Sequence, residues 1–192
     1  MPSGSPILFI TLLLAFAAIV WGMAFVGGRI RLLFVKGPLM LRPLLHEYEQ
    51  LINKAELNLA LFSEQQAGEK QGEQWSKKEI LGHLVDAAMN NHQRFVHAQI
   101  SGEMKLASHD QAAWVRIQNY QSESWLSLVQ LWCAYNRHLL HILNSLPSQS
   151  LRSVCFIGDD LPVTLESLIR DYISYLKLQL TQLSSPGVQR PD

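Results

Sequence analysis

Two kinds of hydrophobic pattern follow one another along this chain of 192 residues. The first is unbroken: residues 7–26 hold 20 positions without a charge. As a helix that run would be roughly 30 Å long, about the hydrocarbon thickness of a bilayer. The second pattern is periodic. Leu44, Tyr48, Leu51, Ile52, Ala55, Leu59 and Phe62 recur at helical steps and predict a helix over about 44–63, with Pro43 suited to its first turn. Ile80, Leu84, Ala87, Ala88, Asn91, Phe95 and Ala98 predict a second over about 77–100. A third stripe is Trp125, Leu128, Val129, Trp132, Asn136, Leu139, Leu143 and Leu146, and Pro147 ends it. Thr164 caps a fourth helix, with Leu165, Leu168, Ile169, Tyr172, Leu176, Gln179 and Leu183 on its inner side.

The connections carry weaker signals. Residues 64–74 are rich in Gln, Glu and Gly and read as a solvated loop. Residues 101–121 are less periodic, but Asp110 can cap a short helix containing Trp114, Val115 and Ile117. Residues 148–163 read as a second irregular connection. Four amphipathic helices of this length predict an all-α fold, a four-helix bundle over 43–184. The connection of about 20 residues between the second and third helices is long enough to run back along the bundle, which admits an up-down-down-up order. Residues 1–28 read as a tail and transmembrane helix, 29–42 as a juxtamembrane linker, and 185–192 as a disordered tail.

Charge changes the picture only at the front of the chain. Arg29, Arg31, Lys36 and Arg42 follow the apolar run and no Lys or Arg precedes it. The positive-inside rule then predicts a single-pass membrane protein whose carboxyl-terminal domain is cytoplasmic. A cleaved signal peptide fits less well, because its apolar core is usually shorter and follows a basic segment. Net charge is zero, so no basic field points to nucleic acid. Cys133 and Cys155 lie far apart with no CxxC, which fits a reducing compartment.

Residues 75–99 are the most informative stretch. Ser76 and Glu79 have capping-box spacing, and Trp75 with Ile80 has the spacing of a hydrophobic staple. His83 lies one turn in, at the edge of the apolar stripe, and Asn90, Asn91 and Arg94 follow on its side. Polar groups turned toward a core need partners. His83 reads either as a histidine satisfied by a neighbouring carbonyl or as a metal ligand whose partners come from elsewhere.

The run Trp-Ser-Lys-Lys-Glu-Ile-Leu-Gly-His-Leu-Val-Asp-Ala at 75–87 resembles the second helix of the DinB/YfiT-like family of four-helix-bundle metalloenzymes, and the likeness extends over 44–183. It implies an up-down-down-up bundle. It also implies three imidazole ligands, one at His83 and two from a last-helix segment like Asp-Tyr-x-x-His-x-x-x-His. That segment here is 171–179, and Tyr175 and Gln179 occupy the two His positions. A phenol with a pKa of about 10 is a poor ligand near neutrality. A Gln carbonyl suits hard cations rather than an imidazole-type site. The expected result is a polar network in place of the metal. His83, Ala87, Asn90, Asn91, Arg94, Tyr172, Tyr175 and Gln179 would line a pocket. His138 and His141 fall off the inner stripe of their helix, and His92 and His97 face away from His83, so these read as solvated or lipid-facing.

Three functions follow as expectations. The first is a membrane-anchored, degenerate member of this family that binds a small ligand or a protein partner, with no cofactor and with a homodimer as a further expectation. The second, implied by the resemblance, is a hydrolase or thiol transferase dependent on zinc, nickel or manganese, using His83 and non-standard ligands. The third is a purely structural bundle at the membrane.

Overall fold

The computed structural model describes residues 38–101, 103–106, 110–157 and 161–184. The apolar run 7–26 and the tail 185–192 lie outside the described residues, as does His109. Among the described residues no helix is long and apolar enough to cross a membrane. All of them belong to one compact unit, Gly37–Asp192.

Helix α1 spans Arg42–Leu59, with Pro43 in its first turn. It stops short of Phe62, and the stretch expected as loop holds a short helix α2, Glu64–Gly68. Ser63 and Gln66 exchange a capping box there, so the helix start was encoded in a Ser-x-x-Gln spacing. Helix α3, Lys77–Ser101, begins at the expected box: Ser76 Oγ accepts from Glu79 N at 3.2 Å, and Ser76 N donates to Glu79 at 2.8 Å. Asp110 caps α4, Gln111–Gln118, which Asn119 ends in the left-handed region at φ 51°. Ser124 caps α5, Trp125–Asn144, and Thr164 caps α6, Leu165–Leu183.

Side-chain pairs fix the order of the four long helices. Trp125 Nε1 donates to Leu59 O at 2.9 Å and Tyr48 pairs with Asn136, so α1 and α5 run antiparallel. Lys77 Nζ donates to Leu183 O at 2.7 Å and His83 meets Tyr175, so α3 and α6 are also antiparallel. Glu47 pairs with Lys177, and Leu51 through Asn58 face Lys177 through Ser184 across one groove, so α1 and α6 are parallel. The helices therefore run up, down, down, up.

To the expected all-α four-helix bundle the connections add a small sheet. Strands β1 (Glu103–Leu106), β2 (Val154–Ile157) and β3 (Val163–Thr164) form a small sheet in the order β1-β2-β3. β1 and β2 are parallel, with Glu103 opposite Val154, and β2 and β3 are antiparallel. Both long connections leave backbone donors and acceptors beside the bundle, and pairing with each other satisfies them.

The core is filled by Trp132, Phe95, Leu84, Leu139 and Leu176, all fully buried. One polar node crosses it. Tyr48 and Tyr172 each donate to Asn136 Oδ1 at 2.7 Å, while Asn136 Nδ2 donates to Trp132 O at 2.8 Å. Burial pushes both phenols above their ordinary pKa, so they remain neutral donors. This node holds α1, α5 and α6 in one register.

Candidate functional site

The site is built on one face of α3. His83, Ala87, Asn90, Asn91 and Arg94 lie at steps of four, three, one and three, so they share a side along about 16 Å of helix. Opposite them α6 contributes Leu168, Asp171, Tyr172 and Tyr175, and Gln111 enters from the first turn of α4. Together they line a half-open pocket of about 240 Å³.

His83 is only 2% exposed. Its Nε2 lies 2.7 Å from the Tyr175 hydroxyl, and the two rings meet edge-on at 6.3 Å between centroids. The Trp75 ring also packs against His83, tilted, with 5.6 Å between centroids. Burial pushes the Tyr175 phenol up to about 12, which keeps it protonated and able to donate to the imidazole. Asn91 donates from Nδ2 to Ala87 O at 2.9 Å, while no donor among the described residues meets its Oδ1. Burial pushes the Arg94 guanidinium below its ordinary value, and the nearby Cys155 thiol acts the other way. Among the residues whose side chains are described, no carboxylate forms an ion pair with it.

Seven of the eight residues expected around the pocket come together there. Gln179 does not. It is buried at 4% exposure, one turn beyond Tyr175, but is not part of the cavity wall. Leu168, Asp171 and Gln111 line the cavity without having been expected. Asp171 could have been found, because it stands four residues before Tyr175 and so shares its side. His138 and His141 are exposed, and His92 packs edge-on against His138 at 5.1 Å, away from the pocket wall.

Asp86, three residues after His83, is a second buried anchor. Its Oδ1 accepts from Tyr120 Oη and from Gln118 Nε2, each at 2.7 Å, which fastens the end of α4 and the following turn to α3. Gly82 makes that contact possible, since a Cβ there would stand 2.2 Å from the Tyr120 ring.

A zinc-type centre needs three deprotonated or neutral N, S or O ligands converging on one point. His83, Tyr175 and Gln179 do not supply that set. The phenol stays protonated and is hydrogen-bonded to the one imidazole, and Gln179 lies outside the cavity wall. Among the described residues no group of three or more His, Cys, Asp or Glu side chains is placed to hold a metal ion.

No family model matches this chain, and no curated protein matches it. Among solved structures it is similar to YfiT from Bacillus subtilis, with a TM-score of 0.65 and 17% identity over 74% of this chain and 87% of that one. That protein is described as "a probable metal-dependent hydrolase with an unusual four-helix bundle topology". The described unit therefore has the YfiT-like, DinB-type four-helix-bundle fold, as the likeness at 75–87 implied.

Proposed function

We propose that this chain is a membrane-anchored, non-catalytic binding module on a YfiT-like bundle, holding a small ligand or a partner in the pocket between α3 and α6. The observation that carries this reading is the 2.7 Å pair between His83 and Tyr175. It engages His83 Nε2 with a phenol whose proton is retained well above neutral pH. The anchor is the uncharged run 7–26, and the basic residues after it put the bundle in the cytoplasm. A reporter fused after Asp192 should be active only in the cytoplasm, and an extracytoplasmic signal would contradict the anchor.

The description of YfiT favours a second reading, a divalent-metal-dependent hydrolase or thiol transferase. It requires His83 to recruit non-standard ligands, through Nδ1 or by releasing its Nε2 from Tyr175. Calorimetric titration of the full-length chain in detergent with zinc, nickel and manganese separates the two. Weak binding that His83→Ala leaves unchanged is the expected result. Tight stoichiometric binding that His83→Ala abolishes would reverse the ranking.

A further inference from the structure

Away from the pocket, three histidines gather on one seam. His92 of α3 meets His138 of α5 edge-on, with 5.1 Å between ring centroids. His141, one turn further along α5, stacks beside His138 at 6.3 Å. The up-down-down-up order makes α3 and α5 parallel neighbours, and α3 packs more extensively against α5 than against any other helix. His92 is half-buried in that seam, while His138 and His141 are exposed at its rim. Chance proximity of solvated rings would account for the two exposed histidines but not for His92, which the fold partly removes from water.

No counter-charge faces the cluster among the residues whose side chains are described. Positions three and four away from His92 on α3 are Ala, Met, Phe and Val, and those around His138 on α5 are Ala, Tyr135, His141 and Ile. Tyr120, from the turn after α4, lies close to Tyr135. The nearest cations are turned elsewhere: Arg137 pairs with Glu56 of α1, and Arg94 lies on the opposite flank of α3 in the pocket wall. None of the ion pairs among those residues includes His92, His138 or His141.

An imidazole is the side chain whose charge changes near neutral pH. Neutral rings pack edge-on or stacked, whereas two charged rings in contact repel each other. Burial, and next the charge on His138, hold the His92 imidazole below its ordinary pKa. Among the described residues no three His, Cys, Asp or Glu side chains are placed to hold a metal ion, so the chemistry this cluster offers is the gain and loss of protons.

We propose that the His92–His138–His141 cluster makes the seam between α3 and α5 an acid-sensitive latch, closed while the rings are neutral and weakened when neighbouring rings are charged together. The unfolded chain takes up a proton at His92 near pH 6.5, about the ordinary value, before the folded chain does. The stability that His92 contributes is therefore fully present above that value and is lost as pH falls from there through the lower folded value. The latch holds the helix whose other flank carries His83 and the pocket wall. It stands apart from the ligand reading, since none of the three histidines lines the pocket.

The test is imidazole NMR and denaturant melting of the full-length chain in detergent, from about pH 8 to about pH 5, the range in which histidine changes charge. In the parent, His92 should titrate below about 6.5, and the melting midpoint should fall on acidification. His138→Gln removes the neighbouring charge from an exposed position. The His92 titration should then move up, and the acid loss of midpoint should shrink. His92→Gln should remove its own share of that loss. His97→Gln, at an exposed histidine outside the cluster, should leave the loss unchanged. Midpoints at the alkaline end show that each variant is folded. A His92 titration that His138→Gln does not move overturns the proposal. So does an acid loss of midpoint that is equal in the parent, His138→Gln and His92→Gln.

Discussion

At the scale of single residues, α3 mixes two neighbouring tasks. His83 faces α6 and pairs with Tyr175, while Gly82 and Asp86 receive Tyr120 from the turn after α4. The close approach at Gly82 has no slack, because the nearest ring atoms would be 2.2 Å from an added Cβ. Gly82→Ala should therefore expel the Tyr120 ring and break its bond to Asp86. Overpacking of this kind costs about 1–3 kcal/mol, and the lost hydrogen bond to a buried carboxylate adds about 1.5–3 kcal/mol. Denaturant melts measure the sum, and a midpoint equal to the parent's would show that the Tyr120 contact contributes nothing. Little of this was legible in the sequence. Gly82 stands in a helical stretch with no turn signal, and its partner Tyr120 is 38 positions away. His83 was legible, because a His at the edge of an apolar stripe followed by two amides and an arginine is an unusual helical face. Tyr175 as its partner was legible only through the family likeness, which placed it at a ligand position.

At the scale of elements, caps and periodicity defined most boundaries. Ser76, Asp110 and Thr164 cap the helices they were expected to cap. Ser76 does more than its spacing shows, since its hydroxyl also donates to Gln121 Oε1 at 2.5 Å and joins α3 to the turn before α5. Ser76→Ala should therefore cost about 1–2 kcal/mol, more than a cap on an isolated helix. A melt unchanged from the parent would mean that neither bond stabilises the fold. The strands were hidden for a physical reason. Glu103–Leu106 and Val154–Ile157 are four residues each, too short for a period to emerge, and they pair across about fifty positions. The same long-range placement hid Gln111, whose position depends on where α4 docks rather than on any local pattern.

At the scale of the molecule, the up-down-down-up order brings α3 and α6 together antiparallel, so that a second-helix histidine meets the last helix across one pocket. YfiT shares the four-helix-bundle fold at 17% identity. In this chain the meeting point is a hydrogen bond between an imidazole and a neutral phenol, with the Arg94 guanidinium on one side of the same pocket and the Asp171 carboxylate on the other. Under the proposed function, Tyr175 and Gln179 stand where a three-imidazole metal centre would need histidines. The most direct test is to put them back. Tyr175→His with Gln179→His should give three imidazoles and one open coordination position, the arrangement of a catalytic zinc site. Calorimetric titration with zinc should show tight one-to-one binding by this double variant. Adding His83→Ala should remove it, and the parent should bind weakly. Failure of the double variant to bind zinc, or tight binding by the parent through His83, would contradict the account.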